Sequence, residues 1–163
     1  MHASEQSYGK FAKAYLGVIR SIADDLKTTE ILDYGCGKRM VKKHLEPVGF
    51  TIHEYDPAIV GLETPPEPCR YVVCVDVLEH IEPECFIAVL KDLKRVTLEM
   101  LFVTFATKPA LKNLPDGTNP HKIVNPVEWW QDTLGEFFEL APILHARDGH
   151  YYVCATPRKG PVG

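Results

Sequence analysis

The sequence predicts an α/β domain with a mostly parallel sheet and an antiparallel strand at its C-terminal end. Three observations carry that reading. Ile31-Leu32, Tyr71–Val77 and Leu98–Thr104 are short, unbroken apolar runs, the pattern of parallel strands covered on both faces. The first run passes into a glycine turn, Tyr34-Gly35-Cys36-Gly37, and then into a helical segment from about Lys38 to Leu45. Two last stretches, Phe137–Leu144 and His150–Ala155, flank Arg147-Asp148-Gly149, a sequence suited to a turn between antiparallel strands.

The 163 residues fit one domain, 1–163, with 45% hydrophobic and 25% charged side chains. A formal net charge of -4 disfavours duplex nucleic acid as a partner, because such partners select strongly basic surfaces. No apolar run reaches membrane-spanning length, and Met1–Gln6 has no signal-peptide core. Five cysteines without C-x-x-C spacing suggest neither a disulfide framework nor a thiolate zinc site, so a reducing, cytoplasmic compartment is expected.

In chain order, residues 8–27 place Phe11, Tyr15, Val18, Ile19, Ile22, Ala23 and Leu26 on one helical face. That helix precedes the first strand, and Tyr8, Lys10 and Tyr15 are candidate ligand neighbours on it. At Gly35 and Gly37 the missing Cβ atoms let the chain turn tightly and let a ligand lie against bare peptide. The N–H groups of the next helix point at the same spot. An acceptor-rich ligand is therefore expected at the carboxyl edge of the sheet.

Phe50–Tyr55 reads as the second strand, ending in Glu54-Tyr55-Asp56-Pro57. An acid about 20 positions past such glycines accepts hydrogen bonds from a ribose in nucleotide-binding α/β folds. Asp56 is the expected ribose acid and Glu54 the reserve. Ala58–Arg70 is short and proline-rich, with Pro65, Pro66 and Pro68, so the third strand of a larger sheet is expected to be trimmed. After the central strand comes Leu78-Glu79-His80-Ile81-Glu82, then a helix from about Pro83 to Arg95. Residues 105–125 are rich in turn formers and have no hydrophobic period, as expected of a substrate loop. A short helix holding Trp129 and Trp130 follows, and residues 157–163 are expected to be a loose tail.

The glycine spacing fails the dinucleotide fingerprint at Met40, and no P-loop is present. Asp33, Gly35, Cys36 and Gly37 instead resemble motif I, [DE]-x-G-x-G-x-G, of the class I S-adenosylmethionine (SAM)-dependent methyltransferases, with Arg39 at the third glycine. V-L-E-H-I after the central strand resembles the corresponding loop of small members of that family. The resemblance covers about residues 30–105. It implies a Rossmann-like class I methyltransferase sheet and SAM as cofactor, held by Asp33, Gly35, Cys36, Gly37 and Asp56, with Asp76 and Leu78 lining the pocket.

Methyl transfer from a sulfonium is an in-line displacement, and an oxygen or nitrogen acceptor must also lose a proton. His80, His121 and Asp116 are the candidate bases. Glu79, His80 and His121, with Asp76 three residues before Glu79, could instead hold one divalent metal ion. The pattern is similar to the E-x-x-E-H…H metal site of methyltransferases acting on the terminal ribose of small RNAs, and to the same loop in ubiquinone-biosynthesis O-methyltransferases. Lys108, Lys112 and Lys122 make the substrate loop locally basic, which suits an anionic acceptor. The motifs of DNA amino-methylation and the Pro-Cys nucleophile of cytosine-C5 enzymes are absent. A small-molecule or nucleotide-type acceptor is therefore expected. A metal-assisted RNA-terminal ribose methyltransferase and a non-catalytic SAM-binding partner subunit are the alternatives.

Overall fold

In the computed structural model, which describes residues 5–160 and side chains from Lys13 onward, helix α1 (Glu5–Leu26) opens the chain. The side chains of Tyr8 and Lys10 lie outside the described residues. Strand β1 (Glu30–Tyr34) leads through the glycine turn into the short helix α2 (Met40–Leu45), and β2 (Thr51–Tyr55) follows. Next come β3 (Cys69–Cys74), α3 (Phe86–Val96), β4 (Thr97–Ala106) and α4 (Val127–Gly135). Three strands end the fold: β5 (Phe138–Leu140), β6 (Leu144–Arg147) and β7 (His150–Pro157).

The sheet order is β2-β1-β3-β4-β7-β5, with β6 also paired to β7. The first four strands are parallel and β7 runs antiparallel beside β4. Alternating side chains face opposite layers, as the pleat requires. Leu32, Val72, Leu101 and Val103 meet Leu90 and Leu93 of α3 and Trp130 and Leu134 of α4. Ile31, Tyr71, Val73 and Phe102 meet Tyr15, Ile19 and Ala23 of α1 and Val41 and Leu45 of α2. Unbroken apolar runs are needed because both faces are covered.

Several boundaries differ from the sequence expectation. The central strand was expected to reach Val77, but β3 stops at Cys74 and the chain turns at Asp76, whose φ is +56°. Phe137–Leu144 is divided, β5 pairing with the end of β7 and β6 forming the hairpin. Residues 56–68 hold no strand, so the third strand is missing rather than trimmed, and the sheet ends at β2. The tail is tied down as far as it is described. Arg158 donates to the carbonyls of Phe137 (3.0 Å) and Gly135 (2.6 Å), and Lys94 donates to that of Gly160 (2.9 Å). No helix among the described residues is long and apolar enough to cross a membrane.

Candidate functional site

Two cavities open at the carboxyl edge of the parallel strands and share Asp76 and His80. The first, about 480 Å³, lies over the glycine turn. The backbone N–H groups of Gly35 and Cys36 donate to the Tyr55 carbonyl at 2.7 and 3.1 Å, which draws the turn against the end of β2. Gly35 has φ +78°, and a Cβ there would stand 2.5 Å from Cγ2 of Val77. The Asp56 carboxylate accepts from the N–H of Gly37 and of Ala58, both at 2.9 Å, and is thereby fixed at the cavity wall.

Asp33, Gly35, Cys36, Gly37, Asp56 and Asp76 all line this cavity. Leu78 does not. It is fully buried in the core on the α3 side, and Val77 and Ile81 form the wall instead. A 3-10 turn at Leu78–His80 points Leu78 inward, a consequence of the early end of β3. Glu54, the reserve ribose acid, is held by Arg39 and Lys42 away from the cavity. Burial pushes the Asp33 carboxyl up to about 7, with Glu54 and Asp56 adding to the rise. The Cys36 thiol, pushed up to about 12 chiefly by burial, stays protonated.

The second cavity, about 390 Å³, is walled by the 3-10 turn, the loop after β4 and the β6–β7 turn. At its floor one donor atom each of Glu79, His80 and His121 lies within 4.8 Å of the others. The loop is positioned by its backbone. Lys122 and Ile123 donate to the Glu79 carbonyl at 2.7 and 3.1 Å. The Asn119 side chain accepts from the N–H of Ala110 (2.9 Å) and of His121 (3.0 Å) and donates to the Ala110 carbonyl (2.9 Å). A residue 42 positions from Glu79 is thus brought beside it.

Each imidazole has its Nδ1 on a backbone carbonyl: His80 on Pro120 (2.9 Å), His121 on Lys108 (2.6 Å) and His150 on Asp148 (3.1 Å). In an uncharged ring that bond places the proton on Nδ1 and the lone pair on Nε2, the arrangement of metal-binding histidines. Burial lowers the pKa of His80, with His121 adding to the effect, so the neutral form is favoured. Glu79 is 1% exposed, its Oε2 has no hydrogen-bond partner among the described residues, and burial pushes its carboxyl up to about 8. A buried carboxylate oxygen without a donor, beside two imidazoles, fits a divalent cation. Asp76 is also raised by burial, against the pull of His150, His121 and Arg147, and its N–H donates to Oγ1 of Thr104 at 2.9 Å.

The remaining sequence candidates lie apart from this floor. Asp116 is exposed in a loop turn, where it accepts from the N–H (2.9 Å) and the hydroxyl (2.7 Å) of Thr118, and it lines neither cavity. Trp130 is fully buried in the core, and Trp129 packs on Phe86 at its edge. Tyr15 is buried on α1, with Asp76, Arg147 and Glu79 close enough to act on its hydroxyl. Sequence reading missed Asn119, Thr104, Arg147 and His150. The Asn119-Pro120 dipeptide is the one local signal, and by itself it indicates only a turn.

A family model described as a methyltransferase domain matches residues 9–134. Among solved structures, the PH0226 protein of Pyrococcus horikoshii OT3 superposes with a TM-score of 0.70 at 15% identity, covering 94% of this chain and 92% of that one. Magnesium protoporphyrin IX methyltransferase of Synechocystis PCC 6803, solved with S-adenosylhomocysteine (SAH), gives 0.64 at 16% identity, covering 91% and 85%. The methyltransferase domain of bacterial CtHen1-CN gives 0.57 at 14% identity, covering 90% and 99%. No curated protein sequence matches. The glycine turn, the carboxylates around its cavity and the matched family agree, and the chain belongs to the SAM-dependent methyltransferase domain family.

Proposed function

We propose that this methyltransferase acts on a hydroxyl oxygen of a small-molecule or nucleotide-type acceptor held in the second cavity, with one divalent metal ion at Glu79, His80 and His121. The observation that carries this reading is the convergence of those donors within 4.8 Å on the boundary between the two cavities. A nitrogen acceptor needs only a base, whereas a carboxylate with two imidazoles also suits an ion that binds hydroxyl oxygen.

In this reading Asp56 takes the ribose hydroxyls of SAM, and the turn from Gly35 to Gly37 lies along the cofactor. When bound, SAM supplies an electrophilic methyl group with a neutral leaving group. When bound, a divalent ion lowers the pKa of an acceptor hydroxyl and fixes its oxygen. Asp76 and His80, on the shared wall, orient the two reactants toward each other. The substrate loop, fastened by Asn119, keeps water from the reacting atoms.

The test pairs calorimetry with methyl transfer. Asp56→Ala is expected to lose SAM and SAH affinity by at least tenfold. Glu79→Gln and His121→Ala are expected to keep SAM affinity, lose Mn²⁺ binding measured by electron paramagnetic resonance, and lose tritiated-methyl transfer. Equal Mn²⁺ binding by wild type and Glu79→Gln would reject the metal and return the chemistry to His80 as base. A second reading, a terminal ribose at an RNA 3′ end as acceptor, draws on the similarity of Glu79-His80 and His121 to the metal site of such enzymes. Transfer to an RNA end but not to its 2′-deoxy counterpart would select it.

A further inference from the structure

The second cavity has a rim as well as a floor, and the rim is cationic. Of the three lysines in the substrate loop, two are committed. Lys108 pairs with Asp148 at 2.7 Å, and Lys122 lies 4.0 Å from Glu82. Lys112 is exposed on the cavity wall and makes no ion pair with a described residue. Arg147 faces it from the closing hairpin.

Arg147 is aimed there by the backbone. Leu144 pairs with Tyr152 and His145 with Tyr151, and then the register shifts so that Arg147, not Ala146, lies opposite His150. Such a bulge reverses the alternation of side chains and often re-aims one into a site. The re-aimed guanidinium acts electrostatically on Asp76 at the back of the cavity and on Tyr15 of α1, so its charge reaches inward although the residue is exposed. Of the carboxylates at this cavity, Asp148 is paired with Lys108 at 2.7 Å, while Asp76 and Glu79 lie at its back and floor rather than on the rim.

We propose that Arg147 and Lys112 form an anion-binding rim, so that the acceptor carries a phosphate or carboxylate group besides the oxygen that receives the methyl. This deepens the functional reading above and rests on the second cavity being the acceptor site. A planar, permanently charged fork on one wall and a mobile ammonium on the other suit a group with several oxyanion positions. Pro109, Ala110 and Leu111 give the same wall an apolar lip, which suits a flat or aliphatic body between the acceptor's two polar ends.

The direct test uses SAH-loaded protein in chelator, so that no metal site competes for the probe. Inorganic phosphate is titrated while the backbone N–H resonances of Leu111 and His150, which line the cavity and are unchanged in every variant, are followed by NMR. Saturable binding is expected, weakened at least tenfold by Arg147→Gln and by Lys112→Gln, and weakened less by Arg147→Lys. Resonances that phosphate does not move, or equal affinity in wild type and both glutamine variants, overturn the proposal. Matched acceptors then separate the two anion sources. Transfer to 3,4-dihydroxybenzoate over catechol selects carboxylate, and to a ribonucleoside 5′-monophosphate over its nucleoside selects phosphate. Equal use of charged and neutral partners also overturns it. Mn²⁺ binding by Arg147→Gln is expected to match wild type, so loss of the metal reading and loss of the anion rim are separate results.

Discussion

Arg39 occupies left-handed backbone at φ +60° and clamps Glu54 with two guanidinium donors, Nε reaching Oε2 at 2.7 Å. The motif that this turn resembles has its third glycine at this position, and the dihedral angle gives the reason. A left-handed side-chain-bearing residue costs about 1–2 kcal/mol. A charge-assisted clamp on a carboxylate whose side chain is only 3% exposed offsets part of that. Burial would raise the Glu54 pKa, but Arg39 and Lys42 outweigh it and hold the group below the ordinary carboxylate range. Arg39→Gly is therefore expected to be close to neutral, losing the clamp and the strain together. Arg39→Ala loses only the clamp and is expected to lower the denaturant midpoint at constant slope.

Gly35 offers no such exchange. A methyl group there meets Val77 at 2.5 Å on a backbone at φ +78°. Strain and overpacking together are expected to cost about 2–4 kcal/mol in Gly35→Ala. Because the same turn walls the cavity proposed for SAM, SAM affinity measured by calorimetry is expected to fall in any folded fraction. Unchanged melting and unchanged affinity would show that the turn relaxes freely.

The buried Asp33 carboxyl gives the apo-protein a pH signature. Its pKa is raised to about 7, so its contribution to stability is complete below the unfolded value near pH 4 and is lost as pH rises toward 7. The ceiling on that loss is about 4 kcal/mol, from roughly three pH units at 1.36 kcal/mol each. Asp33→Asn removes the ionisation. Relative to wild type it is expected to melt higher at pH 8 than at pH 5, with weaker SAM binding because it lines that cavity. A constant difference between the two pH values would mean that Asp33 ionises in the folded protein near its ordinary range.

Metal binding is expected to appear as stability as well as activity. An ion present at about 100 times its Kd stabilises the native state by about 2.7 kcal/mol. In a domain of this size that is a rise of roughly 5–10 °C in Tm. Mn²⁺ is expected to give it to wild type, chelator to reverse it, and Glu79→Gln to remove it while the apo-protein stays folded.

Asn119 supports His121 from outside the lining of both cavities. Its side chain fixes Ala110 and the His121 N–H. Loss of such outer support typically costs 10–100-fold in metal affinity. Asn119→Ala is expected to weaken Mn²⁺ binding by that factor with SAM affinity intact, and Asn119→Asp to recover less than half of it.

What the sequence determined by itself was local. Apolar runs without alternation mark strands covered on both faces, and Ile31, Val72 and Phe102 are buried accordingly. The spacing of Asp33, Gly35, Gly37 and Asp56 marked residues that line one cavity, because a glycine turn and the acid of the next strand lie close along the chain. Glu79 and His80 were legible beside each other, and His121 was legible as a partner from the pattern of residues. The rest needed long-range geometry. Leu78 turns inward because β3 ends early, and Asp116 merely closes a loop. Asn119 sets the loop through backbone contacts, and a bulge directs Arg147 into the cavity. A one-residue change of register or of strand end reverses the face a side chain presents, and pairing between distant segments decides both.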